Sequence, residues 1–271
     1  MKNNIKAAII DLYDGETNQG IRCIKDILSD CGLEYKLYDL RAKGEVPSTD
    51  YDIYISSGGP GSPWDGEGKK WEEDYFKLLD ELWANNQNPA NRKKFVFFIC
   101  HSFQIMVRYF GLAEVVMRNS KSFGIKPVHK TKSGELEKLF ENLTDPFYAA
   151  DFREWQVIQP NLNRLDELGA KISALEKVRP HVDLERAIMA IRVSNEFVGT
   201  QFHPEADPES MQHHLMQPER KEHVVSKYGE EKYQEMLDLC ENEIGIKLTR
   251  KNVLPGFINE AILRLNENQN K

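Results

Sequence analysis

The run Phe95-Val96-Phe97-Phe98-Ile99 ends at Cys100, and from Ser102 to Phe110 the apolar spacing predicts a helix. A strand apolar at every position must be covered on both faces, as in the interior of a parallel sheet. Comparable runs at Ala7–Leu12, Tyr35–Tyr38 and Ile53–Ser57 predict further strands, and Gly20–Cys31 and Trp71–Asn86 predict helices. This βαβ order specifies an α/β fold: a doubly wound, mostly parallel sheet with flanking helices. After Gly111 the strand signals crowd together at Ala113–Met117, Ile125–Thr131, Lys171–Glu176, Ala187–Val193 and Phe197–Gln201, which extends the sheet with antiparallel pieces. From Asp207 the spacing is helical, at Glu230–Glu243 and Phe257–Leu265, with Pro218 and Pro255 as breaks. The expected division is a sheet domain over 1–206 and a helical C-terminal extension over 207–271, packed on the same domain.

Composition removes several classes of function. A chain of 271 residues can build one large core. Its 36 basic and 43 acidic residues give a net charge of -7 with no basic cluster, so neither nucleic acid nor an anionic membrane is an expected partner. Cys23, Cys31, Cys100 and Cys240 are scattered, which argues against a disulfide framework or a structural zinc and for a reducing, cytoplasmic setting. No metal and no cofactor are expected. The apolar stretch before Asp11 is too short for a signal sequence and reads as the first strand.

The chemistry concentrates at strand ends. Cys100 falls in the strand-to-helix turn, facing the positive end of a helix dipole, which favours a thiolate. Downstream, Phe202-His203-Pro204-Glu205 supplies a base and a carboxylate two residues apart, able to face the same side of an extended segment. Glu205 would orient the imidazole of His203, and His203 would activate Cys100. The loop Ser56-Ser57-Gly58-Gly59-Pro60-Gly61-Ser62-Pro63 follows the third strand. It could cradle a phosphate, but it lacks the spacing of nucleotide-binding loops. The alternative is an oxyanion site, with the backbone N–H groups of Gly59 and His101 as donors. The His101 ring would turn away. His129, His181, His213, His214 and His223 read as structural, and Trp64 to Trp71 reads either as a lid or as an exposed loop anchored by two aromatic rings.

Three motifs in this order, Ser57–Pro63, Ile99-Cys100-x-x-x-Gln104 and Gln201-Phe202-His203-Pro204-Glu205, resemble the triad-type class I glutamine amidotransferases, and in particular the glutaminase domain of GMP synthase, here in stand-alone form. Lys121–Val128 also resembles the family's segment after the elbow. The resemblance covers residues 5 to 205 and implies a flavodoxin-like fold. It also implies attack of Cys100 on the side-chain amide of glutamine, a γ-glutamyl thioester, release of ammonia and hydrolysis to glutamate. Cys100 would be the nucleophile, His203 the acid and base, Glu205 the orienter, Gly59 and His101 the oxyanion donors, and Gly58 and Gln104 contacts for the substrate.

Two departures bear on that reading. The elbow of the family usually reads Gly-x-Cys-x-Gly, and here Phe98 and Ser102 hold the glycine positions. Arg153 stands where the family often carries a histidine near the substrate. A second enzymatic reading therefore replaces free glutamine by a γ-glutamyl conjugate, and a non-enzymatic one keeps the fold as a binding or regulatory module. The ammonia acceptor would be a separate synthetase chain or a small molecule. The C-terminal helices would pack on their own domain or build a homodimer.

Overall fold

The computed structural model describes residues 5–178 and 185–267. His181 lies outside the described residues. In chain order the first half is β1 (Lys6–Asp11), α1 (Gln19–Asp30), β2 (Glu34–Asp39), α2 (Leu40–Lys43), β3 (Ile53–Ser56), α3 (Lys70–Gln87), β4 (Phe95–Ile99) and α4 (His101–Phe110). The second half is β5 (Ala113–Ser122), β6 (Ile125–Lys130), α5 (Lys132–Glu135), β7 (Phe147–Ala150), β8 (Arg153–Pro160), α6 (Leu162–Leu168), β9 (Lys171–Glu176), β10 (Ile188–Arg192) and β11 (Phe197–Thr200). Four helices follow: α7 (Pro208–Leu215), α8 (Pro218–Tyr228), α9 (Glu230–Glu241) and α10 (Ile246–Glu267).

Nine strands form one sheet in the order β2-β1-β3-β4-β11-β10-β9-β6-β7. From β2 to β11 the pairing is parallel, and from β11 through β10, β9 and β6 to β7 it is antiparallel. One expectation fails here: Ala113–Met117 does not extend this sheet. As part of β5 it pairs only with β8, in a separate two-stranded ribbon. The extent of β5 and the strands β7 and β8 were not foreseen.

Alternate residues of the central strands feed two cores. Phe95, Phe97 and Ile99 face α1 and α10, where the Phe257 ring meets the Phe97 ring at 5.1 Å. Val96 and Phe98 face α3 and α4. A third cluster joins Phe123 and Ile125 to Met211, Val224, Tyr233 and Met236 of α7 to α9. Pro218 opens α8, where its missing N–H costs nothing. Pro255 does not break the chain: it lies inside α10, four residues after the exposed Lys251, so the carbonyl it leaves without a helical donor belongs to a solvent-facing residue. Among the described residues no helix is long and apolar enough to cross a membrane.

Candidate functional site

The carboxyl ends of β1, β3, β4 and β11 converge on a cavity of about 550 Å3. Open parallel sheets place ligands on this side. Cys100 sits at its base with φ 50° and ψ -96°, a left-handed conformation costing a non-glycine residue about 1–3 kcal/mol. The turn is fixed from both sides: the Cys100 N–H donates to Thr200 O at 2.8 Å, and the Cys100 carbonyl accepts from Gln104 N at 3.1 Å as α4 begins.

The two departures from glycine at the elbow have structural counterparts. The Ser102 hydroxyl accepts from Ile99 N at 2.8 Å and donates to Ser56 O at 2.8 Å, tying β4 to β3 beneath the turn. Phe98 is fully buried and pairs in register with Gly199 of β11. A Cβ on Gly199 would lie 2.7 Å from Phe103 Cδ2 of α4. Gly199, beside Phe98 in the sheet, thus leaves room for Phe103 and Met106 of α4.

After β11 the chain reaches His203, whose N–H donates to Ala150 O of β7 at 2.9 Å. The His203 Nδ1 lies 2.8 Å from Glu205 Oε1, and the imidazole lines the same cavity as Cys100, whose Sγ lies 3.6 Å from Phe152 O. Burial pushes the imidazolium of His203 down, but the charges of Glu205 and Cys100 outweigh it and hold His203 well above the ordinary histidine value. The arrangement therefore favours the imidazolium form of His203. His101, next to Cys100, behaves oppositely: burial, reinforced by the positive charge of Arg41, pushes it down to about 3. Its ring does not turn outward as the sequence suggested. It packs against the Gly59 loop and comes within 3.5 Å of Arg41 Nη1.

Gly58 and Gly59, two of the three glycines of the loop after β3, are sterically required. A Cβ on Gly59 would sit 2.4 Å from Leu12 O, and one on Gly58 would sit 2.8 Å from His203 Cε1. Gln104 is buried, and its Nε2 donates to Gln201 Oε1 at 3.0 Å, while Gln201 Nε2 lies 3.6 Å from Cys100 Sγ. Thus Cys100, His203, Glu205, Gly59, His101 and Gln104 all line one cavity, with Gly58 packed against His203.

Several neighbours were not anticipated. Tyr13, just beyond β1, lines the cavity, and burial followed by the charge of Glu205 keeps its phenol protonated. Its position beyond the carboxyl end of β1 was the available signal. His214 and His223, read as structural, also line the cavity. Burial pushes His214 down to about 4, aided by Arg220. Arg153 lines the cavity too, held by Asp151 at 2.9 Å. The Trp64 ring is an anchor rather than part of a lid, stacked on Arg108 at 4.1 Å and bonded to Val115 O at 3.3 Å. Among the described residues no three His, Cys, Asp or Glu side chains gather as metal ligands.

The sequence model of the family described as glutamine amidotransferase class-I matches residues 8–221. No curated protein matches the chain. Among solved structures, a glutamine amidotransferase from Thermotoga maritima is similar with a TM-score of 0.63 and 18% identity, over 97% of this chain and 98% of that one. A putative GMP synthase component from Thermoplasma acidophilum is similar at 0.53 and 17%, over 75% of this chain and 86% of that one. The glutaminase domain of Trypanosoma brucei CTPS, with bound acivicin, is similar at 0.52 and 16%, over 74% and 86%.

Proposed function

Because the chain belongs to the class I glutamine amidotransferase family, we propose that it hydrolyses the side-chain amide of glutamine through a γ-glutamyl thioester on Cys100. The observation that carries this reading is the convergence of Cys100, His203 and Glu205 on one cavity, with the imidazole 2.8 Å from the carboxylate and held above the ordinary histidine value by the charges of Glu205 and Cys100. The Cys100 thiolate adds to the amide carbon, and the carbonyl electrons move onto oxygen, facing the N–H groups of Gly59 and His101. Imidazolium His203 gives its proton to the amide nitrogen, the C–N bond breaks and ammonia leaves. Neutral His203 then takes a proton from water as the water oxygen adds to the thioester. Collapse expels the thiolate, leaving glutamate and the starting ion pair. Glu205 keeps the imidazole oriented throughout. The neutral ring of His101 adds no competing positive charge, so only its backbone contributes. The ammonia passes to an acceptor or a separate synthetase, as the similarity to GMP synthase and CTPS glutaminase folds supports.

A second reading, a γ-glutamyl conjugate as substrate, is favoured by the wall that Met211, His214 and Arg220 of α7 and α8 add to the cavity beyond Cys100. Intact-mass analysis with a diazo-ketone analogue of glutamine tests the first. One adduct on Cys100, blocked by excess glutamine and absent in Cys100→Ala, is expected. No adduct, while a general thiol reagent still labels Cys100, rejects glutamine, and faster cleavage of γ-glutamyl amines than of glutamine then selects the conjugate. Full biological activity of Cys100→Ala would reject both enzymatic readings in favour of a binding module.

A further inference from the structure

Helix α10 lies beyond the residues that the family model matches, which end at 221. It is nevertheless built into the loop that carries His203 and Glu205. Thr249 Oγ1 donates to Tyr148 O of β7 at 2.6 Å, and the same strand supplies the Ala150 carbonyl that receives the His203 N–H at 2.9 Å. The next residue, Arg250, donates through Nη1 to the backbone carbonyl of Glu205, and its Nη2 lies 3.9 Å from Asp207 Oδ2. Asp207 is held from the opposite side by Arg22 of α1, whose Nη2 bonds both carboxylate oxygens at 2.9 Å. Adjacent residues of one helix thus grip both the strand that supports His203 and the peptide that carries Glu205.

This grip matters because Glu205 is poorly secured by its own side chain. Its Oε1 is committed to His203, and its Oε2 is buried with no hydrogen-bond partner. No second side-chain bond fixes the carboxylate, so its placement depends on where the backbone of Glu205 is held. A displacement of the order of 1 Å at such a group costs about a hundredfold in rate.

From this geometry we infer that Arg250 is a positioning residue for the reaction: α10 completes the site by clamping the Glu205 backbone so that the carboxylate meets His203. The inference rests on the Cys100–His203–Glu205 reading. It assigns a role in the site to a segment outside the family's matched region, through a guanidinium that touches neither the substrate nor the nucleophile.

The test reads the thiolate directly. Cys100 of full-length wild type, Arg250→Met and Arg250→Gln is alkylated with iodoacetamide across pH, with the final stoichiometry and a thermal melt recorded for each. The groups facing His203 are Cys100 on the elbow, Glu205 on its own loop, Tyr13 beyond β1 and His214 of α7; none of them is replaced in these variants, which remove the Arg250 contacts to the Glu205 carbonyl and to Asp207 together with the guanidinium charge. Loosening Glu205 weakens the imidazolium, so the acid limb of alkylation moves to higher pH by about one unit, each unit being tenfold in the ion-pair equilibrium. With glutamine, kcat falls by about ten- to a hundredfold while KM stays within about twofold. A loss of folded protein lowers the stoichiometry but leaves the pH profile where it was. Either folded variant with full stoichiometry and the wild-type profile overturns the inference, and so does an unfolded Met variant beside an unshifted Gln variant. Failure of wild type to turn over glutamine while its alkylation profile is normal rejects the glutamine reading and leaves the Arg250 result standing by itself.

Discussion

The elbow at Cys100 and the loop from Gln201 to Asp207 each bring reactive groups to the same cavity, and they are held by different means. The elbow is local. A fully buried strand runs into a strained turn and then a helix, and Ser102 closes it within a few residues. The loop is assembled from distant parts: β7 for His203, α10 for Glu205, and α1 for Asp207. Their histidines differ in the same way. His101 is held neutral by burial beside Arg41, whereas His203 is held charged between Glu205 and Cys100. Two histidines in one cavity are driven to opposite charge states by the groups around each ring, not by their distance in sequence from Cys100.

Removing the carboxylate breaks this contrast most severely. In Glu205→Gln the imidazolium of His203 loses its partner, and glutamine turnover is expected to fall about 10³- to 10⁴-fold. The acid limb of Cys100 alkylation should also move to higher pH. Unchanged turnover would mean that the loop does not act through its carboxylate.

Gly59→Ala probes the elbow side. The added Cβ would meet Leu12 O at 2.4 Å, so the peptide must shift, and with it the N–H proposed to face the oxyanion. A fall in kcat of about 10²- to 10³-fold is expected, with the alkylation profile of Cys100 unmoved. The profile separates the two regions: Glu205→Gln is expected to shift it, and Gly59→Ala is not.

The sequence was most readable where one residue type meets one local need. Phe95–Ile99, the turn at Cys100, the Gly58-Gly59 pair and the His203–Glu205 spacing declare themselves because each contact is local or made by backbone. Contacts between remote segments were not readable. Gln201 reaches Cys100 across 101 positions and Thr249 reaches Tyr148 across 101. Nothing near Arg250 announces that its partner is a carbonyl in the loop. Pro255 reads as a break because proline normally is one, and tertiary packing of Val253, Leu254, Phe257 and Ile258 overrides it. The short strand β7 carries no alternation of its own, since it is buried under α10 and defined by its partner β6.

A smaller effect tests the packing beneath the elbow. Gly199→Ala places a Cβ 2.7 Å from Phe103 Cδ2, and about 1–3 kcal/mol of stability should be lost. If Gly199 offsets the bulk of Phe98, combining Gly199→Ala with Phe98→Ala should cost less than the sum of the two, measured by urea unfolding. Strict additivity would separate the two positions.

The last test uses pH, because the two histidines affect stability at opposite ends of the scale. Above pH 6.5 His101 is neutral in the folded and unfolded chains and contributes no slope. Below 6.5 the unfolded chain binds a proton that the folded chain refuses until about pH 3, so stability falls by about 1.4 kcal/mol for each unit of acidification between these limits. His214, pushed down to about 4, adds to the same acid limb. His203 has the reverse sign. Its raised value contributes stability that is complete below 6.5 and is lost as pH rises through the folded value. Urea midpoints of His101→Gln from pH 4 through 7 to 9 should therefore show a shallower acid decline than wild type, while the alkaline decline stays in place. Glu205→Gln should do the opposite, flattening the alkaline decline and sparing the acid one. If both variants alter the same limb, the two rings share one electrostatic environment, and the division between a neutral histidine at the elbow and a charged histidine on the loop is wrong.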